Sequence, residues 1–502
     1  MAGESRRVRI AAVLAGSAAI VSAVDFVLIA FFSRYFNYGG ESVGLYGLLR
    51  VARGLPYLGT LGELPAIANP YGPYPLFIVG WPLRLLGVTS PYWTNVAAKF
   101  FILVVLGLNA AVCGRILGLF RGADRTRSRT AWMIAVLYPI LFNPLLTFSF
   151  RPDLLGVLFE LLGFFVIAAP AAAGKGFRAR DCALAGALFA VAATSKANHV
   201  GVFAGTMVAL WIARGWKPAL ACSAAWIAST ALLSVALTGI AGESLWIHVL
   251  HAANFGSLSI RDLPGAFTRI ADEVFFRHFA FHLAALAGIL VLPRGHALRT
   301  LFLGALAGTL TAAVLGQLKV GAYNNYFYSY FLLAAAPAAM AISELARRLG
   351  RESGGAISAL AGLGAAGIMI LVAYGAIPAA AILANDMRNY PYGELERYLA
   401  EKHPTGFLYA ADENVAVHLA DRVAFAPWAE RCYVNSPYLR ERFLPGLRER
   451  LKPARFEAAV ASGKGCELWK PSGELAGGLS QLTRLGARFG KLCVFESGIS
   501  SR

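Results

Sequence analysis

Tyr92-Trp-Thr-Asn-Val-Ala-Ala-Lys99-Phe-Phe-Ile-Leu-Val-Val-Leu-Gly-Leu-Asn109-Ala-Ala-Val-Cys-Gly-Arg115-Ile-Leu-Gly-Leu119 is the stretch that decides the fold. A helix rises ~1.5 Å per residue, so this run is longer than the roughly 30 Å hydrocarbon core of a bilayer requires. Arg121, Arg125, Arg127 and Arg129 follow it directly, and such a basic connection stays on the cytoplasmic side of a membrane. The same pairing recurs along the chain. About eleven spans are expected, at about 10–32, 92–119, 131–149, 153–172, 182–196, 198–213, 218–240, 279–293, 299–318, 327–346 and 356–384. Arg6, Arg7 and Arg9 precede the first. Lys175, Arg178 and Arg180 follow the fourth, Arg214 and Lys217 the sixth, Arg294 and Arg299 the eighth, and Arg347, Arg348 and Arg351 the tenth. Every second connection is therefore basic, which puts these loops and the N-terminus in the cytoplasm. The apolar run from Ile10 to Phe32 is too long for a secretory signal core, so an uncleaved first helix is expected.

Composition agrees. Hydrophobic residues make up 57 % of the 502 and charged residues 15 %, where a soluble chain carries about a quarter charged. A soluble enzyme, a disordered chain and a DNA-binding domain are excluded. The formal charge of +18 reads as cytoplasmic anchoring loops and contact with anionic lipid, not as a nucleic-acid partner. The six cysteines form no Cys-x-x-Cys pair, so no zinc ribbon or redox motif is signalled.

The parity places outside the cell a first connection at about 33–91, the short Phe150–Asp153 stretch, a connection at about 241–278, the Lys319–Tyr326 turn and the tail from about 385 to 502. The chain thus divides into a transmembrane domain, 1–384, and an extracytoplasmic α/β domain, 385–502. Within the tail Glu394–His403, Asn414–Ala420 and Arg440–Arg455 read as helical, and Phe407–Ala410, Cys466–Trp469 and Lys491–Phe495 as strands. In an oxidising compartment two of Cys432, Cys466 and Cys493 can pair, Cys466 with Cys493 first; three free thiols is the other reading.

The first outer connection is the most informative. It reads Arg34-Tyr-Phe-Asn-Tyr-Gly-Gly-Glu41-Ser-Val-Gly-Leu-Tyr46, passes Arg50, Arg53, Gly54 and Tyr57, and reaches Asn69-Pro-Tyr-Gly-Pro-Tyr-Pro75-Leu-Phe. Ser42–Arg53 has a helical pattern that suits a helix lying in the membrane surface. Glu41, after two glycines, is either a helix-capping carboxylate or a general base facing a cleft. Glu63 and Asp25 are the competing acids.

These residues resemble the GT-C glycosyltransferases, integral-membrane enzymes that use lipid-phosphate-linked sugars, among them protein O-mannosyltransferases and the aminoarabinose transferases. The resemblance rests on Glu41-x4-Tyr46-x7-Gly54-x2-Tyr57, then Tyr71-x2-Tyr74-Pro75-Leu76. The family often has an Asp-Glu pair at the acid position; here Gly40 replaces the first member, so Glu41 alone carries over. Arg151-Pro-Asp153, Thr194-Ser-Lys196-Ala-Asn198-His199, Lys319-x-Gly321-Ala322-x2-Asn325-Tyr326 and the tail's Asp412-Glu413-Asn414 are further matches. The resemblance implies a polytopic bundle and an inverting transfer of a sugar from a polyprenyl-phosphate donor to a hydroxyl acceptor on the outer face of the inner membrane.

The residue types suit that chemistry. Arg151, Lys196 and Lys319, with Asn325 and Tyr326, would hold the donor phosphate and its sugar and stabilise charge as the sugar leaves. Glu41 would deprotonate the acceptor hydroxyl. A phosphate leaves without protonation, so no second acid is needed, unlike in a glycosidase. Asp153, Tyr46, Tyr57, Tyr74 and His199 are further candidates. Against this, Lys196 and Lys319 can snorkel to headgroups, Arg151 and Asp153 can form a local ion pair, and Tyr323, Tyr326, Tyr328 and Tyr330 can form an interfacial belt. His248 and His251 lack a carboxylate that completes a metal set, so no metal site is expected. The sequence calls for no cofactor and leaves a divalent ion open. A transporter or flippase is the alternative; it predicts repeat symmetry, which is not visible, and acids inside spans, of which Asp25 and Glu160 are the main ones. A non-catalytic assembly protein, with the tail binding a partner, is the third reading.

Overall fold

The protein is represented by a computed structural model. The structure describes residues 41–64, 69, 71–120, 149–196, 198–242, 244–252, 262–293, 295–318, 324–352, 392–404, 407–411, 413–419, 422–425, 432–451, 456–462, 466 and 482–497. The expected spans 10–32 and 356–384, all of 131–149 but Ser149, and Asp25 lie outside these.

The membrane part comprises α1 (Glu41–Ala52), α2 (Tyr74–Leu85), α3 (Pro91–Leu117), α4 (Asp153–Ala172), α5 (Ala179–Ser195), α6 (Gly201–Arg214), α7 (Trp216–Ala241), α8 (Leu263–Ile270, continued by the π-helical turns Ala271–Phe276), α9 (Phe279–Leu290), α10 (Ala297–Gln317) and α11 (Tyr328–Glu352). Among the described residues five helices are long and apolar enough to cross a bilayer, six if α8 and α9, bent by 65°, count as one span. This is the polytopic helical architecture expected, with the fourth apolar run, 153–172, falling on the bounds of α4. Proline starts several of these helices: Pro91 occupies the first position of α3 and Pro152 immediately precedes α4, where the missing N–H costs nothing.

α4 is the central helix. It packs against α3, α5, α6, α10 and α11, and its side chains are buried over most of its length. α7 is the opposite case, exposing Ile227, Leu232, Val235 and Ile240, the face a bilayer would cover. Apolar helices in lipid gain little from hydrophobic burial against each other, so close contact depends on small residues. α6 and α10 meet this way. Cβ atoms added at Gly201 or Gly205 would run into the backbone of Gly304, Gly308 and Thr309, and Cβ atoms at Gly304 and Gly308 into that of Gly205 and Gly201.

The first connection corrects one expectation. α1 forms where the pattern places it, but Val43 to Ala52 are buried throughout, and a Cβ at Gly44 would strike the Phe150 carbonyl. It is a core helix. The surface position belongs to α2, which buries Leu76, Val79 and Leu83 and exposes Ile78, Trp81 and Leu85.

The tail holds α12 (Tyr392–Lys402), β1 (Phe407–Ala410), α13 (Glu413–His418), β2 (Val423–Phe425), α14 (Pro437–Arg442), α15 (Leu444–Leu451), β3 (Phe456–Ser462), β4 (Leu482–Phe489) and β5 (Leu492–Ser497). The five strands form one mixed sheet, in the order β2-β1-β3-β5-β4. β1 runs parallel to β2 and β3, while β5 runs antiparallel to β3 and β4. The expected helix over 440–455 is two helices broken at Phe443. Of the strand expected at Cys466–Trp469 only Cys466 is among the described residues, and the strands β2, β3 and β4 were not foreseen. Cys466 and Cys493 form a disulfide, Cα atoms 5.6 Å apart, and Cys432 is a buried free thiol. The tail sits on the first connection: α13 packs on α1, the Gly62 N–H donates to the Tyr433 hydroxyl at 3.4 Å, and Arg450 reaches Glu63 at 3.2 Å.

Candidate functional site

Three chain ends meet where α4 begins. Arg151 and Asp153 stand at the start of α4, Lys196 just past the end of α5, and Tyr326 in the 3-10 turn Asn324–Phe327 that leads into α11. The Lys196 Nζ donates to Asp153 Oδ1 at 2.6 Å and lies 4.7 Å from the centre of the Tyr326 ring. Asp153 and Arg151 are buried, and the Lys196 side chain is 17 % exposed.

The fourth contribution comes from the first connection. Asn69 accepts the Tyr71 N–H at 3.0 Å, and the Gly72 N–H donates to the Ser195 carbonyl at 3.1 Å. A Cβ at Gly72 would run into the carbonyls of Thr194 and Ser195, so only glycine lets the loop lie on the end of α5. Thr194 Oγ1 donates to the Ala190 carbonyl at 2.7 Å, which leaves the Tyr74 hydroxyl to donate to Thr194 at 2.9 Å. Tyr71 thereby enters the electrostatic field of Arg151, Lys196, Asp153 and Tyr326. Burial raises its phenol above the ordinary value; Arg151 and Lys196 pull against this without cancelling it. At neutral pH Tyr71 is a protonated O–H donor.

Among the described residues the cluster brings together two cations, one carboxylate and two phenols. Charged donors of this kind suit a compact anion. Arg151 and Asp153 are near neighbours, as the local reading holds, but the direct 2.6 Å partner of Asp153 is Lys196, so snorkelling to a headgroup is not the posture of that lysine.

The remaining sequence candidates distribute as follows. Glu41 is the first residue of α1, three residues before Gly44, which packs on the Phe150 carbonyl; its side chain lies outside the described residues, as do Lys319 and the side chain of Asn325. Tyr46 is buried in α1, with the Arg50 guanidinium 5.7 Å from its ring centre. Tyr57 is buried edge-on to Phe77, centroids 5.6 Å apart. His199 is buried inside the bundle against Glu160 at 3.0 Å. Among the described residues no three His, Cys, Asp or Glu side chains gather as a metal would need.

No family model matches the chain, and no curated protein matches it. Solved structures do. The chain has the fold of the GT-C glycosyltransferases, which are polytopic membrane proteins. ArnT from Cupriavidus metallidurans, solved bound to undecaprenyl phosphate, superposes with a TM-score of 0.60 at 12 % identity, covering 96 % of this chain and 98 % of that one. Its apo form gives 0.60 at 13 % identity, covering 95 % and 96 %. The oligosaccharyltransferase AglB from Archaeoglobus fulgidus, in complex with an inhibitory peptide and a dolichol-phosphate, is a looser likeness, with a TM-score of 0.49 at 14 % identity over 89 % of this chain and 69 % of that one.

Proposed function

We propose that this chain is an inverting glycosyltransferase that moves a sugar from a polyprenyl-phosphate donor to a hydroxyl acceptor on the outer face of the plasma membrane. The observation that carries the reading is the largely buried cluster of Tyr71, Arg151, Asp153, Lys196 and Tyr326, which gathers two cations, a carboxylate and two phenols at one end of an apolar bundle. The fold likeness to ArnT solved with undecaprenyl phosphate supports it. The N-terminus is cytoplasmic, and residues 385–502 work as an extracytoplasmic domain over the site.

In the mechanism, Arg151 and Lys196 bind the donor phosphate, and Lys319 and Asn325 join them from the turn before Tyr326. Tyr71 donates a hydrogen bond to a phosphate oxygen. Tyr326 presents its face to the Lys196 ammonium, and Tyr74 holds the loop on Thr194. Asp153 aims Lys196 and keeps it from the headgroups. The acceptor hydroxyl attacks the anomeric carbon from the face opposite the phosphate, Glu41 takes its proton, and the carbon–oxygen bond to the phosphate breaks with its electrons on the phosphate. Configuration inverts. The cations stabilise the charge that develops on the leaving group, the step at which fixed dipoles and charges contribute most.

The test is sugar transfer by the purified protein from a defined polyprenyl-phosphate donor to membrane-extracted acceptors. Glu41→Gln abolishes transfer while leaving undecaprenyl phosphate binding intact; Lys196→Ala weakens both. Full transfer by Glu41→Gln removes the proposed base.

A further inference from the structure

Glu160 is one of the main acids that the sequence places well inside a span, and the mechanism above has no use for it. It sits on α4 seven residues after Asp153, two helical turns along the same face. It is buried, at 1 % exposure. Its Oε2 accepts the Nδ1–H of His199 at 3.0 Å and also the hydroxyl of Ser329, while Oε1 accepts the Val202 N–H at 3.4 Å.

Those partners belong to the segments that carry the site. The His199 N–H donates to the Lys196 carbonyl at 3.0 Å, closing the turn that presents the lysine. Ser329 lies in the first turn of α11, three residues after Tyr326. Val202 lies in the first turn of α6. The His199 ring packs on Gly156, where a Cβ would overlap it, so α4 leaves room for the imidazole between Asp153 and Glu160. One carboxylate thus ties the Lys196 turn and the Tyr326 turn to the helix that carries Asp153.

We propose that Glu160 is a positioning residue for the anion cluster, acting through His199 and Ser329 to hold Lys196 and Tyr326 in register with Asp153. The proposal rests on the donor-phosphate reading of the cluster. A buried carboxylate with three donors fixes directions as well as distances, because each donor is costly to leave unpaired. Lost register at Lys196 weakens the grip on phosphate without removing any group that touches it.

The experiment measures binding of undecaprenyl phosphate to the purified full chain in nanodiscs, with thermal unfolding recorded for each variant. Ser329→Ala, which removes a single hydroxyl, and Glu160→Gln, which removes the charge, each weaken binding by about fivefold or more, the scale of one buried hydrogen bond. Ser329→Thr restores wild-type affinity. In a Lys196→Ala background Ser329→Ala has no further effect, since the group it aims is gone. A purely architectural role gives instead the same fold-loss in both backgrounds, or a lowered unfolding temperature with unchanged affinity, and either result overturns the proposal. If Glu160→Gln fails to fold, the Ser329 series decides alone. If the unaltered protein does not bind undecaprenyl phosphate, the donor reading falls and this proposal with it. Binding weakened in Lys196→Ala but untouched in Ser329→Ala and Glu160→Gln overturns the positioning role alone.

Discussion

Lys196 Nζ and Asp153 Oδ1 lie 2.6 Å apart, joining the end of α5 to the start of α4 across 43 residues of sequence. Both side chains are largely withdrawn from solvent. Removing one partner of such a pair leaves a buried charge uncompensated, which costs about 3 kcal/mol or more. Asp153→Asn is therefore expected to lower the unfolding temperature in detergent by several degrees. The double variant Asp153→Leu with Lys196→Met should recover most of that stability and none of the phosphate binding. Thermal unfolding read beside binding checks both.

The Tyr326 ring contributes its face. A cation over an aromatic ring is worth about 1 kcal/mol when partly desolvated, or roughly fivefold in affinity. Tyr326→Leu should weaken undecaprenyl phosphate binding by about that factor, and Tyr326→Phe should leave it unchanged. Titration of the three proteins in parallel separates ring face from hydroxyl.

The α6–α10 contact leaves no room for a side chain at Gly205 or Gly304. Gly205→Val is expected to force the helices apart and destabilise the bundle by about 2 kcal/mol or more. Gly239→Ala, where a Cβ meets nothing within 4 Å, serves as the neutral control. Unfolding temperatures and the monodisperse fraction after extraction report the difference.

The tail should lose stability in acid. Burial by itself would raise the Glu496 carboxyl, but hydrogen bonds from Tyr398 at 2.7 Å, His403 at 3.0 Å and Arg484 at 3.0 Å outweigh it and hold the group below its ordinary value. A depressed carboxylate contributes stability above its unfolded-state value of 4.5, and that contribution is lost as pH falls through the folded value. The same site pushes the Tyr398 phenol up to about 12, with burial the main cause and Glu496 adding to it. Tail unfolding followed from pH 7 to pH 3 should steepen below about 4.5, and Glu496→Gln should flatten that slope.

Much of the bundle was legible because apolar runs bounded by basic connections leave few alternatives in a bilayer. α3, α4, α7, α10 and α11 all fall where hydropathy puts them. α1 was misjudged for a physical reason: Val43, Leu45, Tyr46, Leu48, Leu49 and Val51 put apolar side chains nearly all round the helix, the mark of one buried in protein rather than lying on a surface. β3 was missed because Phe456-Glu-Ala-Ala-Val-Ala-Ser is rich in alanine, which favours strands poorly. At the candidate site, Arg151, Asp153, Lys196 and Tyr326 stood out as polar groups at the ends of apolar runs. Tyr71, Tyr74 and Thr194 were visible only as parts of motifs. The Glu160–His199–Ser329 link was illegible, since its members lie 39 and 169 residues apart and nothing local marks them as partners.

The most direct test is a structure of the full chain with undecaprenyl phosphate in a lipid nanodisc. The account predicts the phosphate among Tyr71, Arg151 and Lys196, with the isoprenoid chain leaving into lipid. A phosphate seated instead at the opposite end of the bundle, by Arg178 and Arg214, would contradict it.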